Sequence, residues 1–324
     1  MIFILKPFQQ PQFKHWSWVS LCGKDTLDFL HRLTTVNTRL LKVGEGAPGC
    51  FLNAQGKILS SFHLWNYAPG EYAFEFDAGQ SDHGKTKLFQ IIDQYTFSEQ
   101  QELTDATSQL SCVWMFFDSS EDLSSLHSKL GVSSLLPLQT QALDEEIRVC
   151  HHGLLDSGLS WLTLWGRPSR LEQWLERTFP EGTPLSAEGF ELLRIQSLLP
   201  RIDTEISEEV IPLEVGLRQS IADSKGCYPG QEVIERIISL GSAPRKLALI
   251  SGSGDLPQPQ DPILNLATPP LPIGHITSSI HIPGTDQFLA LGLVKKIHAK
   301  KGMEVQFQTK SSKNGMMIKI SSYE

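Results

Sequence analysis

The stretch Lys225-Gly226-Cys227-Tyr228-Pro229-Gly230-Gln231-Glu232 places a thiol in a tight turn directly before an amphipathic pattern. We predict a helix that begins near Gln231, because apolar and charged residues then separate onto two faces. The first backbone N–H groups of such a helix, and the positive end of its dipole, favour negative charge in the preceding loop. The predicted apolar face consists of Val233, Ile234, Ile237, Ile238 and Leu240.

Cys227 lies in this loop, two residues after Lys225. The nearby cation and the helix terminus favour the thiolate, which makes a reactive thiol one interpretation of Cys227. The other interpretation is a buried structural cysteine, since free cysteines are often buried. For Arg236, two roles stay open: a solvated ion pair with Glu232, or a contact with a negatively charged group of a ligand.

Length and composition indicate a soluble globular protein of two or three domains, with 324 residues, 40% of them hydrophobic and 20% charged. A net charge of −8 and a pI near 5.7 argue against direct binding of nucleic acid through its phosphates. No apolar run approaches the roughly 18 residues of a membrane span. No cleavage signal follows the short apolar run Ile2–Leu5. We therefore expect a cytoplasmic protein that does not enter the membrane.

The histidine and cysteine pattern predicts neither a disulfide framework nor a self-contained metal site. His151 and His152 are adjacent on a predicted strand, so their rings should point to opposite faces. We expect both to be surface or edge histidines. The cysteines are odd in number and scattered, at Cys22, Cys50, Cys112, Cys150 and Cys227.

The order of predicted elements changes twice along the chain. The first part predicts a helix with Leu27, Leu30 and Leu33 on one face, then a meander of three strands and a second helix. Residues 100–180 read strand, helix, strand, strand, helix, which is typical of a ferredoxin-like unit. The first helix of this unit is predicted to begin at Ser120. A further helix should run from Ser186 to Leu199, where Pro200 stops it.

After Gly241, short strands separated by Gly- and Pro-rich turns predict a small all-β barrel or sandwich. The Pro-rich segment Pro257–Pro272 is predicted to be an irregular linker. These patterns together indicate an α+β chain with more than one domain.

Four segments of the chain resemble the YgfZ-type folate-binding proteins. They are Leu52-Asn53-Ala54-Gln55-Gly56-Lys57-Ile58-Leu59, Pro212-Leu213-Glu214, the octapeptide with Arg236, and Gly274-His275-Ile276-Thr277-Ser278-Ser279. The resemblance spans nearly the whole chain, and the octapeptide is its most specific part. Such proteins are related to the aminomethyltransferases of the glycine cleavage system (T-proteins) and to mitochondrial iron–sulfur assembly factors.

The resemblance implies an α+β, three-domain aminomethyltransferase-like fold that binds tetrahydrofolate. Its folate-binding core would be residues 1–100 plus 182–242, with a ferredoxin-like unit at 101–181 and a C-terminal β-barrel at 243–324. It also implies a functional thiol at Cys227. The implied folate-binding residues are Lys225, Tyr228, Gln231, Arg236, Gln196, Glu214 and Lys57.

The residues themselves leave other roles open for three of these side chains. From the residues alone, Gln196 is a polar residue on an outer helix face. Glu214 is equally a brace for its loop, and Lys57 equally serves a hairpin turn, although it is also suited to neutralising a folate glutamate tail.

Two departures from the T-protein pattern affect the expected activity. Ser60-Ser61 stands where T-proteins place an acidic pair, and serine cannot supply the charge that steers protonation during one-carbon transfer. Gln196 stands where family members often have a pterin-binding glutamate, although its amide still offers a donor and an acceptor. A conventional aminomethyltransferase is therefore not expected.

The leading expectation is a folate-binding accessory protein that supports iron–sulfur cluster assembly or repair, and so indirectly tRNA modification. Its partners would be iron–sulfur proteins or assembly factors. The alternative is a tetrahydrofolate-dependent aminomethyltransferase or demethylase of the T-protein type. A folate-independent adaptor that has kept the scaffold is a third reading, because fold alone does not fix function.

Overall fold

A computed structural model describes residues 2–6, 16–79, 82–118, 123–155, 157–241, 243–307 and 316–323. The chain divides into two compact units. The first contains Met1–Asn53, Leu59–Ala187 and Gln219–Pro229, and the second contains Ala54–Ile58, Glu188–Arg218 and Gly230–Glu324. The three-domain boundaries drawn from the resemblance remain a prediction.

The first unit contains eleven strands and four helices among its described residues. The strands are β1 (Ile2–Leu5), β2 (Trp16–Gly23), β3 (Glu45–Leu52), β4 (Ile58–Ala68), β5 (Glu71–Asp77), β6 (Gln101–Asp105), β7 (Ser111–Asp118), β8 (Thr140–Ala142), β9 (Ile147–Leu154), β10 (Leu159–Gly166) and β11 (Thr183–Pro184). The helices are α1 (Thr26–Leu33), α2 (His83–Tyr95), α3 (Leu123–Leu130) and α4 (Pro168–Thr178).

One sheet of the first unit has five strands in the order β3-β4-β5-β2-β6. The predicted meander is confirmed as β3, β4 and β5. Helices α1 and α2 pack on one face of this sheet, where Phe29 and Leu30 meet Phe62 and Phe74 in a shared core. The predicted apolar face of α1 is wrong for Leu27, which is 37% exposed. Phe29, which was not predicted for this face, is fully buried instead.

The other sheet has six strands in the order β11-β1-β7-β10-β9-β8. Helices α3 and α4 cover one of its faces. The elements predicted for residues 100–180 are confirmed in their order as β7, α3, β9, β10 and α4, whereas β6 and β8 were not predicted. Strands β1 and β11 also belong to this sheet, although they come from outside residues 100–180, and they pair in parallel. Their place in the sheet was not predicted. The predicted start of α3 at Ser120 lies outside the described residues.

The uncovered faces of the two sheets pack against each other through an aromatic layer. Six of the seven tryptophans lie in this layer, including Trp16 against Trp114 and Trp18 against Trp165. The expectation of surface histidines is wrong, because both side chains are buried and the facing sheet covers His152. His152 stacks on Trp161 in the layer, whereas His151 lies on the opposite face and is only 4% exposed.

The second unit contains helices α5 (Ala187–Gln196) and α6 (Gln231–Ser239) and a closed barrel. Helix α5 ends three residues before the predicted Leu199, because Leu198 adopts a left-handed backbone with φ 51°. The barrel strands are β12 (Arg245–Ser253), β13 (Pro262–Leu264), β14 (Pro272–His281), β15 (Gln287–Lys295), β16 (Glu304–Phe307) and β17 (Met316–Tyr323).

The closed barrel decides between the two predicted all-β architectures. Its order is β12-β15-β14-β13-β16-β17. The segment Pro257–Pro272 is not wholly irregular, since β13 lies within it and pairs with β14 and β16. No helix among the described residues is long and apolar enough to cross a membrane.

Candidate functional site

The helix that follows the octapeptide is α6, and its start at Gln231 confirms the prediction. Gly230 precedes it with φ 80°, a left-handed conformation that glycine adopts without strain. Ile234 is fully buried, and Val233, Ile237 and Ile238 are half-buried, so the predicted apolar face is confirmed for these four residues. The prediction is wrong for Leu240, which lies beyond the last helical residue and is 75% exposed.

Cys227 is exposed on the loop before this helix. The interpretation as a buried structural cysteine is therefore wrong, and the reactive thiol stays a prediction. All five cysteines are free, and the other four are less accessible. Cys50, Cys112 and Cys150 are buried, and Cys22 is half-buried.

Lys225 anchors the cysteine loop to the end of α1. Its ammonium group donates hydrogen bonds to the carbonyl oxygens of His31 and Thr34. These carbonyls lie at the helix C-terminus, where the last turn lacks partners of its own and the dipole favours a cation. Burial lowers the pKa of Lys225 to about 8. Its Nζ atom also lies 5.0 Å from the ring centroid of Tyr228, which is itself buried.

His31 is a neighbour of the loop that the sequence did not reveal. A Cβ atom placed on Gly226 would lie 3.6 Å from its Nε2 atom. The ring is 8% exposed, and Nδ1 has no hydrogen-bond partner among the described residues. Burial, with the positive charge of Lys225 next in effect, lowers the pKa of His31. The imidazole beside the cysteine loop is therefore neutral at pH 7.

Thr35 holds the segment that leads into the loop. Its hydroxyl donates to the carbonyl oxygen of Ser220, and its own carbonyl accepts the backbone N–H of Ala222 at 3.1 Å. The same hydroxyl accepts the N–H of Cys50 at 2.8 Å. The cysteine loop is thus tied both to α1 and to strand β3.

Glu214, in the second unit, braces its own loop. Its carboxylate accepts two hydrogen bonds from Arg245, at 2.7 and 2.9 Å, and one from the backbone N–H of Ile211 at 3.1 Å. This pairing raises the pKa of Arg245. The carboxylate is 2% exposed, so the bracing role named from the sequence is the one that its contacts support.

Lys57 ends the predicted turn at Ala54-Gln55-Gly56-Lys57. Its ammonium donates to the carbonyl oxygen of Glu209 at 2.8 Å and lies 4.0 Å from the Glu214 carboxylate. Gly56 has φ 73°, and a Cβ there would lie 3.3 Å from the Cδ1 atom of Ile234. This turn therefore packs closely on α6.

Gln196 and Arg236 are both exposed. Gln196 is the last residue of α5, and Arg236 lies on the polar side of α6. Arg236 and Glu232 are both exposed, and no ion pair between them is found among the described residues, so of the two roles left open for Arg236 the contact with a ligand stays a prediction. Gln231, the first residue of α6, is half-buried.

Ser60 and Ser61 lie on strand β4, with alternating directions. Ser60 is fully buried, and its hydroxyl has no hydrogen-bond partner among the described residues. Ser61 is half-buried on the opposite face. Within residues 16–79 and the other described ranges, no group of three or more His, Cys, Asp or Glu side chains is arranged to hold a metal ion.

Comparison with solved structures identifies the fold. The glycine cleavage system aminomethyltransferase T of Bartonella henselae superposes with a TM-score of 0.79 at 14% identity, covering 99% of this chain and 85% of that one. The chain therefore has the aminomethyltransferase fold, which confirms the predicted α+β fold class.

Comparison with curated proteins confirms the resemblance in sequence. The tRNA-modifying protein YgfZ of Aliivibrio fischeri is 23% identical over 252 residues, which cover 76% of this chain and 72% of the relative. The aminomethyltransferase of Moorella thermoacetica is 27% identical over 141 residues, covering 43% of this chain and 38% of its own length. The chain is thus similar to YgfZ-type proteins that are related to the glycine cleavage T-proteins.

A candidate chloroplastic transferase of Arabidopsis thaliana is 25% identical over 297 residues, or 90% of this chain. The chain spans 66% of that relative's length. No model of a known protein family matches the sequence.

Proposed function

We propose that this chain is a cytoplasmic folate-binding accessory protein that supports assembly or repair of iron–sulfur clusters in other enzymes, and through them tRNA modification. The observation that carries the proposal is the exposed thiol of Cys227 on a loop that Lys225 anchors. Similarity to proteins named as tRNA-modifying YgfZ supports the same role.

An exposed cysteine on an anchored loop suits transient contact with a client. A thiolate is a soft ligand for iron and the reactive form in thiol exchange. The helix that follows in the chain begins at Gln231, and its N-terminus favours negative charge nearby. Cys227 would thus present a ligand or redox thiol to an iron–sulfur protein, with the cluster as the substrate.

The polar groups of the proposed folate-binding residues fit tetrahydrofolate in part. Gln196 and Arg236 are exposed, and they offer an amide for a pterin edge and a guanidinium for a carboxylate. Lys225, Glu214 and Lys57 already hold protein partners, so they would act by shaping their loops. Tyr228 and Gln231 remain proposed folate-binding residues because they belong to the octapeptide. When bound, tetrahydrofolate supplies a carrier for one-carbon units.

The serines at 60 and 61 support an accessory role over conventional transfer chemistry. Ser60 is fully buried, and neither hydroxyl carries the negative charge that stabilises a developing iminium. An acid from elsewhere in the chain would be needed for turnover.

Replacing Cys227 tests the proposal. We expect Cys227→Ala to fold normally, because the side chain is exposed, and to lose the ability to restore iron–sulfur enzyme activity in cells that lack this protein. Activity of an iron–sulfur enzyme in extracts is the measurement. Cys22→Ala is the matched control, since Cys22 is half-buried and hydrogen-bonds Tyr67 at 3.5 Å. Full restoration by Cys227→Ala would remove the thiol from the mechanism.

A second candidate is a tetrahydrofolate-dependent aminomethyltransferase or demethylase. It is favoured by the similarity to aminomethyltransferases in sequence, although this covers 43% of the chain for the Moorella thermoacetica enzyme. Steady turnover of an aminomethyl or N-methyl donor that requires tetrahydrofolate would select it.

A further inference from the structure

Strand β6 forms one edge of the five-stranded sheet. It pairs with β2 on one side, from Val19 opposite Asp105 to Gly23 opposite Gln101. No described strand pairs with its other side. An edge strand of this kind presents backbone N–H and C=O groups that a further strand can use.

A groove of about 550 Å³ runs beside this edge, under α2. Its apolar wall is made by Leu21 and Leu103 from the sheet and by Phe89 and Ile92 from α2. Leu103 is half-buried while its neighbours Glu102 and Thr104 are exposed, as expected for alternating strand residues. The helix thus extends over a space that the sheet does not fill.

The polar atoms of the groove are mainly acceptors. The amide nitrogen of Gln101 donates to the hydroxyl of Thr96 at 2.9 Å, whereas its Oε1 atom is buried and has no hydrogen-bond partner among the described residues. Asp93 lines the groove with an exposed carboxylate, and Glu102 is exposed on the edge strand itself. These groups favour a ligand that brings donors and positive charge.

We propose that an extended segment of a partner protein adds to β6 as a sixth strand, with basic residues alternating with apolar ones. Its apolar side chains would enter the groove beside Leu103, and its Lys or Arg side chains, on the opposite face of the added strand, would meet Glu102. Backbone hydrogen bonds to a sheet edge give such complexes their affinity, and alternate side chains give their specificity.

A second copy of this chain fits the edge less well. Pairing β6 with itself would bring the Glu102 carboxylates of two copies to one interface, with Asp93 close by on each. Like charges placed together across an interface are unfavourable. A basic segment of another protein meets no such repulsion.

The test uses the full chain and the fluorescent synthetic peptide Lys-Val-Lys-Val-Lys-Leu-Lys, followed by polarisation. Gln90→Lys and Gln94→Lys form a matched pair: both positions are exposed on α2, and only Gln90 lines the groove. We expect Gln90→Lys to weaken peptide binding on the order of tenfold, and Gln94→Lys to change it less than about twofold. The same peptide N-methylated at alternate amides should not bind, because it cannot complete the backbone hydrogen bonds.

Hydrogen exchange gives a second readout, since strand addition should slow exchange of amides in β6 and not in barrel strand β16. Absence of peptide binding at about 1 mM would overturn the proposal. Equal binding by the N-methylated peptide would also overturn it, as would equal effects of the two lysine variants. If the chain formed concentration-dependent dimers and Gln90→Lys disrupted them, the occupant of the β6 edge would be a second copy of the chain instead.

Discussion

At the scale of single residues, the carboxylate of Glu75 is the most unusual group in the first unit. It is fully buried between the two sheets and accepts the indole N–H groups of Trp16 and Trp65 at 3.1 and 2.8 Å. His152 Nε2 lies 3.4 Å from it. Burial alone would raise the pKa of Glu75, but the charge and hydrogen bond of His152 hold it at about 2. The carboxylate therefore stays ionised inside an aromatic layer.

His63 packs edge-on against His152 in the same layer, with ring centroids 4.3 Å apart. Burial, and then the neighbouring His152, lower the pKa of His63 from 6.5 to about 3. Between these values the unfolded chain takes up a proton on His63 that the folded chain does not. The free energy of unfolding therefore falls as the pH decreases through this window.

Replacing His63 by Phe should reduce this dependence on pH. Between pH 7 and pH 4 we expect the variant to lose roughly 3 kcal/mol less stability than the parent chain, since each pKa unit corresponds to about 1.4 kcal/mol. Thermal unfolding at a series of pH values measures the difference. His281→Phe, at an exposed position of β14, controls for the substitution itself. The same change in slope in both variants, or in neither, would contradict the prediction.

At the scale of elements, a buried ion pair joins α5 to the barrel. Arg194 is 1% exposed and donates to Glu205 at 3.0 Å and to the carbonyl oxygen of Leu199 at 2.9 Å. Glu205 also accepts the hydroxyl of Ser278 on β14 at 2.6 Å. Burial disfavours the ionised form of Glu205. The attraction of the Arg194 positive charge is stronger, so the pKa of Glu205 is lowered. Glu191 pairs with the same guanidinium from a more exposed position.

Glu205→Gln should destabilise the second unit strongly, because it leaves part of a buried positive charge uncompensated. A loss of about 3–5 kcal/mol corresponds to a melting temperature lower by roughly 10 °C. Calorimetric scans give the measurement. Glu191→Gln is the control on the same arginine, since the Glu191 side chain is 28% exposed, and its effect should be clearly smaller. If both variants lost similar stability, burial would not determine how much an ion pair with Arg194 stabilises the second unit.

At the scale of the whole molecule, binding of tetrahydrofolate separates the three readings of this chain. The exposed amide of Gln196 and the exposed guanidinium of Arg236 offer groups that a folate can use. We expect heat on titration of the full chain with tetrahydrofolate, and weaker binding after Gln196→Ala or Arg236→Ala. Removing one hydrogen bond to a charged partner costs about 1.5–3 kcal/mol, or roughly 10- to 100-fold in affinity.

Glu172→Ala is a control for that titration, because Glu172 lies on α4 and is not among the proposed folate-binding residues. No heat and no thermal shift at high ligand concentration would leave only the adaptor. Retained binding with no turnover would keep the accessory role and dismiss the transferase.

Much of the fold could be predicted because its elements carry strong local signals. The alternation of Tyr72, Phe74 and Phe76 predicted β5, and the pattern after Gly230 predicted α6 to the residue at its start. Strands β1, β2 and β6 went unpredicted, since they are stabilised by neighbours far away in sequence. For the candidate site, the sequence placed Cys227 in the loop before α6 but left its burial open, and the anchoring of Lys225 on α1 was not predicted.

The sequence by itself determined the fold class, the helix after the octapeptide and the thiol that precedes it, because periodicity and turn residues act over short distances. Only the tertiary structure decided which polar groups are buried. Glu75 lies on β5 of one sheet and His152 on β9 of the other. On an isolated sheet each side chain would face water, but in the folded unit the facing sheet covers it. Likewise Arg245 completes the partner set of Glu214 from 31 residues further along the chain. Such contacts depend on packing between distant segments, which no local pattern encodes.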